Sequence, residues 1–152
     1  MLKPTRILVP TDFSEHSGKA LEQALDIAKQ YHAKVFLLHV IHKELYRPVA
    51  VTAHDFGLSK KMWREVKDRQ RAETDSKLQN QLEKFPQATK VDVATNVRLG
   101  VPYQAILKEA QEKKIDLIVI ASLGRTGIAK YLIGSVARNV VNGSKCPVLV
   151  IK

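Results

Sequence analysis

Hydrophobic residues along the chain fall into short, nearly continuous runs. Four such runs lie at residues 7–9, 35–40, 117–121 and 148–151. Runs of this kind are typical of parallel strands that helices cover on both faces. Residues 90–99 instead alternate apolar and polar positions, which predicts a strand with one less protected face, at an edge of the sheet.

The segments between these runs carry apolar residues at helical spacing. Ser14 is a candidate N-cap for a helix that extends to Tyr31, and Pro102 begins a shorter helix. A long charged helix is predicted over residues 58–85 and a last one over residues 134–142. Strands and helices therefore alternate, which predicts an α/β fold with right-handed crossovers: a doubly wound open sheet of five parallel strands with helices on both faces.

Length and composition favour one globular domain over residues 1–152. The chain is 45% hydrophobic and 26% charged, which is typical of globular proteins. No apolar run approaches the ~18 residues that span a bilayer, and the first residues lack the apolar stretch of a signal peptide. Cys146 is the single cysteine and cannot form an internal disulfide, so we expect a protein of the reducing cytoplasm, with no membrane partner.

The formal charge of +10 favours attraction to polyanions. Its densest block, residues 60–71, also contains Glu65 and Asp68 and is interpreted as a solvated helix face. No aromatic interleaving or recognition motif accompanies the charge, so we do not expect nucleic-acid binding. The longest irregular connection lies between Ile41 and Gly57, and we expect a mobile loop there, of a kind that is often functional.

The histidines and the single tryptophan show no pattern of a metal or catalytic site. The five histidines show no metal-ligand spacing, and His39, inside an apolar strand, is predicted to be a hydrogen-bonded core residue. Trp63 on the long helix is predicted to anchor that helix against the sheet.

The segment from Ala121 to Ser135 is the strongest ligand-binding candidate. Ligands of open α/β sheets bind outside the carboxyl ends of the strands, where the strand order reverses. The first strand runs into residues 10–14 and the fourth into residues 121–127, and a helix begins near Gly134. Glycines allow backbone amides to approach an anion, and the N-terminus of a helix adds a favourable partial charge. The pattern therefore predicts an anion site here.

Side chains in this segment strengthen the prediction without making it unique. The Ser135 hydroxyl would donate a hydrogen bond and Arg125 would add a full positive charge. The segment is neither a Walker loop nor a Gly-x-Gly-x-x-Gly fingerprint. In the alternative interpretation, Gly124 and Gly127 are ordinary turn residues and the site holds no ligand.

Over essentially its whole length, the chain resembles the universal stress protein family. The resemblance rests on ILVPTDFS at residues 7–14, LHV at 38–40, IVIASLGRTG at 118–127, GSVA at 134–137 and CPVLVI at 146–151. It implies the strand order 3-2-1-4-5, with the reversal between the first and fourth strands.

ATP-binding members of that family carry the pattern Gly-x2-Gly-x9-Gly-Ser/Thr. Gly124, Gly134 and Ser135 match it, Ala121 replaces the first glycine, and Leu123 stands where the family often has histidine. The resemblance implies ATP, with Mg²⁺ as a possible companion ion, held by Pro10, Thr11, Asp12, Val40, Ala121, Gly124, Arg125, Gly134, Ser135 and Val136.

The resemblance also suggests individual roles. Pro10, Thr11 and Asp12 would line the ribose and adenine, and Val40 would present its backbone to the adenine ring, while the remaining residues would surround the ribose and phosphates. The alternative role for Asp12 is to cap the helix that begins at Ser14. The two roles are compatible.

These features leave several functions open. The first is a cytoplasmic stress-response protein that binds ATP or a related adenine nucleotide as a switch, with slow hydrolysis at most, since no positioned general base is evident. The second is a family member that binds no nucleotide and acts through protein contacts as a dimer, which Ala121 favours. An adenylating enzyme is disfavoured because no Ser-Gly-Gly follows the first strand.

Assembly is suggested by the last strand, between Pro147 and Ile151. Given the family's strand order, it is an apolar edge strand guarded only by Lys152, and exposed edges pair readily with another chain. Family members pair this strand across a two-fold axis, which implies a homodimer. The rival interpretation covers the edge within the monomer, by the 58–85 helix or the long loop.

Overall fold

The computed structural model describes residues 2–46, 59–124 and 132–152. Its strands are β1 (Arg6–Pro10), β2 (Lys34–His42), β3 (Val93–Gly100), β4 (Leu117–Ala121) and β5 (Val148–Ile151). Its helices are α1 (Glu15–Tyr31), α2 (Lys60–Glu83), α3 (Pro102–Glu112) and α4 (Ser135–Gly143), with short 3₁₀ turns at Lys43–Tyr46 and Pro86–Lys90. Most of the loop predicted between Ile41 and Gly57 lies outside the described residues.

The five strands form one parallel sheet in the order β3-β2-β1-β4-β5, so the predicted doubly wound fold is confirmed. β2 and β3 pair along eight register positions, whereas β1 and β4 pair only at Ile7↔Leu117 and Leu8↔Ile118. The strand order reverses between β1 and β4, and these two strands do not pair with each other beyond Leu8. The short ladder leaves room for a cleft at their carboxyl ends.

Two hydrophobic clusters cover the sheet, one on each face. On one face α1 contributes small and branched residues, among them Ala20, Leu21 and Ala24, which are fully buried. On the other face α3 and α4 pack through Ile106, Ala137 and Val140. Val136 and Val141 of α4 lie outside this cluster and are 36% and 44% exposed.

The helix α2 is anchored only by its second half. It buries Thr74, Leu78 and Gln81 and packs over β3 and β2. In its first half, Met62 and Val66 are 48% and 43% exposed and Trp63 is half-buried. Trp63 belongs to neither hydrophobic cluster of the described residues, so the prediction that it anchors the helix against the sheet is not confirmed. Since α2 lies over β3, it does not cover β5 at the opposite edge.

An ion pair joins β3 to α3. Glu109 is completely buried, and its carboxylate accepts hydrogen bonds from Asn96 Nδ2, at 3.1 Å to Oε1, and from the Arg98 guanidinium. The guanidinium also donates to Glu112, and this bond lowers the pKa of the Glu112 carboxyl. β3 is an edge strand as predicted, but its polar Arg98 faces a buried carboxylate rather than solvent.

A second polar contact fixes the start of β1 beside β4. The Asp116 carboxylate accepts hydrogen bonds from Thr5 N, Thr5 Oγ1 and Arg6 N, at 2.9, 2.6 and 3.0 Å. Partial burial acts to raise the pKa of Asp116, but the bonds from Thr5 and Arg6 outweigh it and lower that pKa. Asp116 directly precedes β4, so these bonds hold the two central strands together.

Candidate functional site

A cavity of ≈ 290 Å³ opens at the carboxyl ends of β1, β2 and β4, at the reversal of strand order where α/β sheets bind ligands. Nine of the ten residues predicted for the site line it: Pro10, Thr11, Asp12, Val40, Ala121, Gly124, Gly134, Ser135 and Val136. The tenth, Arg125, lies outside the described residues.

Asp12 stands between the loop after β1 and the loop after β4. Its Oδ1 accepts a hydrogen bond from Ser14 N at 2.9 Å, which orders the turn into α1. A Cβ atom at position 124 would lie 2.8 Å from Asp12 Oδ2, closer than real contacts allow. Gly124 therefore leaves the space that the carboxylate occupies. The helix itself is capped by Ser14, whose Oγ accepts from Ser17 N, as predicted.

The two ends of the glycine-containing segment meet at Ser122. Gly134 N donates to the carbonyl oxygen of Ser122 at 2.6 Å, and Ser122 N donates to the carbonyl oxygen of Ile151 at 2.7 Å. A Cβ atom at position 134 would lie 3.2 Å from that Ser122 oxygen, so the close approach favours glycine. These two hydrogen bonds join the start of the segment to its end, and the start of the segment to β5.

The N-terminus of α4 faces the cavity. Gly134 is its N-cap, and no side chain among the described residues caps it. The first-turn residues Ser135, Val136 and Ala137 line the cavity. Backbone N–H groups of a helix's first turn have no partner within the helix and form, with the helix dipole, a binding place for anions.

Ala121 fits the site without strain. It is the last residue of β4, pairs in register with Ile151, and is 9% exposed within the cluster on the α1 face. A strand backbone is open to any L-residue, so this position does not require glycine for its conformation. The replacement of the family's first glycine therefore leaves the cavity formed.

His39 belongs to the cavity wall, so its prediction as a core residue was wrong in location, although its hydrogen bond was expected. It is half-buried, and its Nδ1 lies 2.8 Å from the carbonyl oxygen of Thr11. A carbonyl only accepts, so Nδ1 carries the proton. The centroid of the Phe13 ring lies 4.6 Å from that of the imidazole. The backbone of Phe13 has a φ of 65°, which is unusual for a bulky residue.

Other wall residues were not predicted at all. Pro102 and Ile106 of α3 line the cavity because the crossover after β3 returns beside β2. Ser17 of α1 contributes from the opposite side. A usable signal for Pro102 was its place just after a predicted strand, since carboxyl ends of parallel strands meet at one edge of the sheet.

In residues 2–46, 59–124 and 132–152, no three or more His, Cys, Asp and Glu side chains are grouped as metal ligands. Within the same ranges no helix has the length and apolar character to cross a membrane.

Comparison with known proteins gives concordant matches. The model of the universal stress protein family matches residues 4–152. Universal stress protein MJ0531 of Methanocaldococcus jannaschii is 33% identical over 97% of this chain and 81% of its own length. The solved structure of protein MJ0577 superimposes with a TM-score of 0.81 at 30% identity, covering 99% of this chain and 97% of that one. A universal stress protein solved in complex with cAMP has a TM-score of 0.61 at 26% identity, covering 98% and 97%.

Proposed function

Because the chain belongs to the universal stress protein family, we propose that its cavity binds an adenine nucleotide, with ATP as the expected ligand. The observation that carries the proposal is the N-terminus of α4, which no described side chain caps and which faces a cavity that Asp12 also lines. A similar protein solved with cAMP supports an adenine nucleotide as the ligand class. The protein would act as a nucleotide-dependent switch in the cytoplasmic stress response.

The chemistry of the walls suggests how the nucleotide would lie. The first-turn amides of α4 and the backbone at Gly124 and Gly134 would take the phosphates. A carboxylate repels phosphate, so Asp12 would face the sugar hydroxyls or the hydration shell of a phosphate-bound Mg²⁺. Val40 would offer its backbone to the adenine ring. Arg125 remains a candidate for the phosphate side.

Efficient ATP hydrolysis is not part of this proposal. A general base must reach the attacking water, and the acidic side chain among the described wall residues is Asp12. Asp12 already accepts the Ser14 N–H and sits against Gly124, which suits a positioning role better. We therefore propose a binding protein with slow turnover at most.

Native mass spectrometry of the purified protein tests the proposal directly. We expect an added mass of an adenine nucleotide on the folded chain, or saturable binding of ATP in calorimetric titration of nucleotide-free protein. GTP serves as the control for base recognition and should bind at least about tenfold more weakly, a difference of about 1.4 kcal/mol. A protein that shows neither bound nucleotide nor heat with ATP would contradict the proposal.

The second candidate function is a dimer that works through protein contacts without nucleotide. The observation that favours it is β5, which lies at the sheet edge and exposes 37% of Leu149. Pairing of β5 with its copy would bury that edge in an isologous interface. The same homodimer is compatible with nucleotide binding.

Sedimentation at micromolar concentration tests the dimer. We expect a species of twice the 17.1 kDa chain mass, converted to monomer by Leu149→Lys because a charge would be buried at the interface. Leu99→Lys is the matched control: Leu99 is 49% exposed on the other edge strand, β3. A monomeric wild type would contradict the dimer, and a dimer that resists Leu149→Lys would contradict its placement on β5.

A further inference from the structure

We propose that Gln81 of α2 is a positioning residue of the cavity, acting through the hydroxyl of Thr11. The inference rests on the proposed function, since it concerns the affinity of the same site. Gln81 does not line the cavity itself. It contacts Thr11, which does line the cavity and lies 70 positions earlier in the sequence.

The contact is buried and specific. Thr11 and Gln81 are only 5% and 7% exposed, and Thr11 Oγ1 donates to Gln81 Oε1 at 2.9 Å. Thr11 Oγ1 also accepts a hydrogen bond from Phe13 N at 3.1 Å and lies 3.0 Å from Ser17 Oγ. One hydroxyl thus joins α2, α1 and the loop after β1.

Thr11 also organises the cavity wall through its backbone. Its carbonyl oxygen accepts the Nδ1 proton of His39 at 2.8 Å, and its N–H donates to the carbonyl oxygen of Leu38 at 2.8 Å. Asp12 is the next residue. Loss of the Gln81 oxygen would leave Ser17 Oγ, at 3.0 Å, as the acceptor for the Thr11 hydroxyl and would break the bond that ties Thr11 to α2. Thr11 would then be drawn towards α1, and that shift would carry Asp12 and His39 with it.

The conformation of Phe13 makes this loop sensitive. A φ of 65° is strained for a bulky residue and persists only where the surroundings hold it. The Phe13 N–H bond to Thr11 Oγ1 is one such restraint. On the far side of the loop, Phe13 and Gln81 line a groove between α1 and α2. The loop after β1 therefore lies between that groove and the cavity: Thr11 and Asp12 line the cavity, and Phe13 and Ser14 line the groove.

A double-mutant cycle tests the inference. Gln81→Met removes the amide and approximately keeps the volume, and Thr11→Val removes the hydroxyl. We expect each to weaken ATP binding about fivefold and the double variant to be no weaker than Thr11→Val alone, because residues that share one interaction are not additive. Thr74→Val is the matched control: Thr74 is equally buried on α2, at 7%, but within the described residues its hydroxyl bonds to the carbonyl oxygen of Gln70 in its own helix.

Amide hydrogen exchange of the nucleotide-free protein supplies a readout that does not need ATP. The Phe13 and Ser14 amides should exchange at least about tenfold faster in Gln81→Met than in wild type or Thr74→Val, since local opening raises exchange. Unchanged exchange at these amides overturns the inference whether or not the protein binds nucleotide. Additive losses of affinity in the cycle, or equal losses in Gln81→Met and Thr74→Val, overturn it too. If the wild-type protein binds no ATP but these amides still exchange faster in Gln81→Met than in wild type, the positioning role stands and only the proposed function is rejected.

Discussion

The variants Gly124→Val and Gly134→Val should each bind ATP at least about tenfold more weakly than wild type, which is about 1.4 kcal/mol. A side chain at position 124 would displace the Asp12 carboxylate, whose Oδ2 lies 2.8 Å from the Cβ position. One at position 134 would press on the Ser122 carbonyl oxygen at 3.2 Å and disturb the bond from Gly134 N. Titration calorimetry measures the loss.

Gly18→Val is the control for this pair, because the nearest described atom to a Cβ at position 18 is in the ring of Phe85, at an ordinary 3.8 Å. It should leave the affinity for ATP within about twofold of wild type. Circular dichroism should show all three variants folded. Unchanged affinity in both Gly124→Val and Gly134→Val would remove this segment from the binding site.

Replacing Arg98 by methionine should lower the free energy of unfolding by about 3 kcal/mol, the lower end of the range for breaking a buried pair, because Arg98 itself is partly exposed. Glu109 has no exposed surface, and its carboxylate would lose the guanidinium that compensates its burial. Urea unfolding at neutral pH, with the midpoint and slope both fitted, measures the change.

The surface pair of Lys108 with Glu112 provides the control. These side chains are 67% and 48% exposed at a separation of 3.8 Å, and Lys108→Ala should change stability by less than about 1 kcal/mol. The double variant Arg98→Met, Glu109→Met should recover much of the loss, since apolar pairs often replace buried ion pairs well. Equal stability of Arg98→Met and wild type would show that the Glu109 carboxylate does not depend on Arg98.

The parts of the fold that follow from local pattern were predictable. Continuous apolar runs gave β1, β2, β4 and β5, and alternation gave β3 as an edge strand. The position of the cavity followed as well, because the strand ends at Asp12 and Ala121 and the helix start at Gly134 are all visible in sequence.

The remaining features depend on which elements meet. Alternation in β3 marks Arg98 as polar, but only the packing of α3 shows that it faces a buried Glu109. His39 looks like a core residue inside an apolar run, and its exposure to the cavity arises because the strands part at their carboxyl ends. The apolar residues Met62 and Leu78 lie on one helix, yet only Leu78 lies over the sheet.

The short ladder between β1 and β4 has a kinetic consequence. β1 pairs with β2 across a single helix, and β4 pairs with β5 likewise. These two strand pairs, the halves on either side of the cleft, each close a modest loop. Joining the halves brings together Arg6 and Asp116, 110 residues apart, for only two register positions of backbone pairing. Loop closure is costly before such distant contacts reward it. We therefore expect the halves to form first and the β1–β4 ladder to close late, so that the cleft between β1 and β4 takes shape in the last steps of folding.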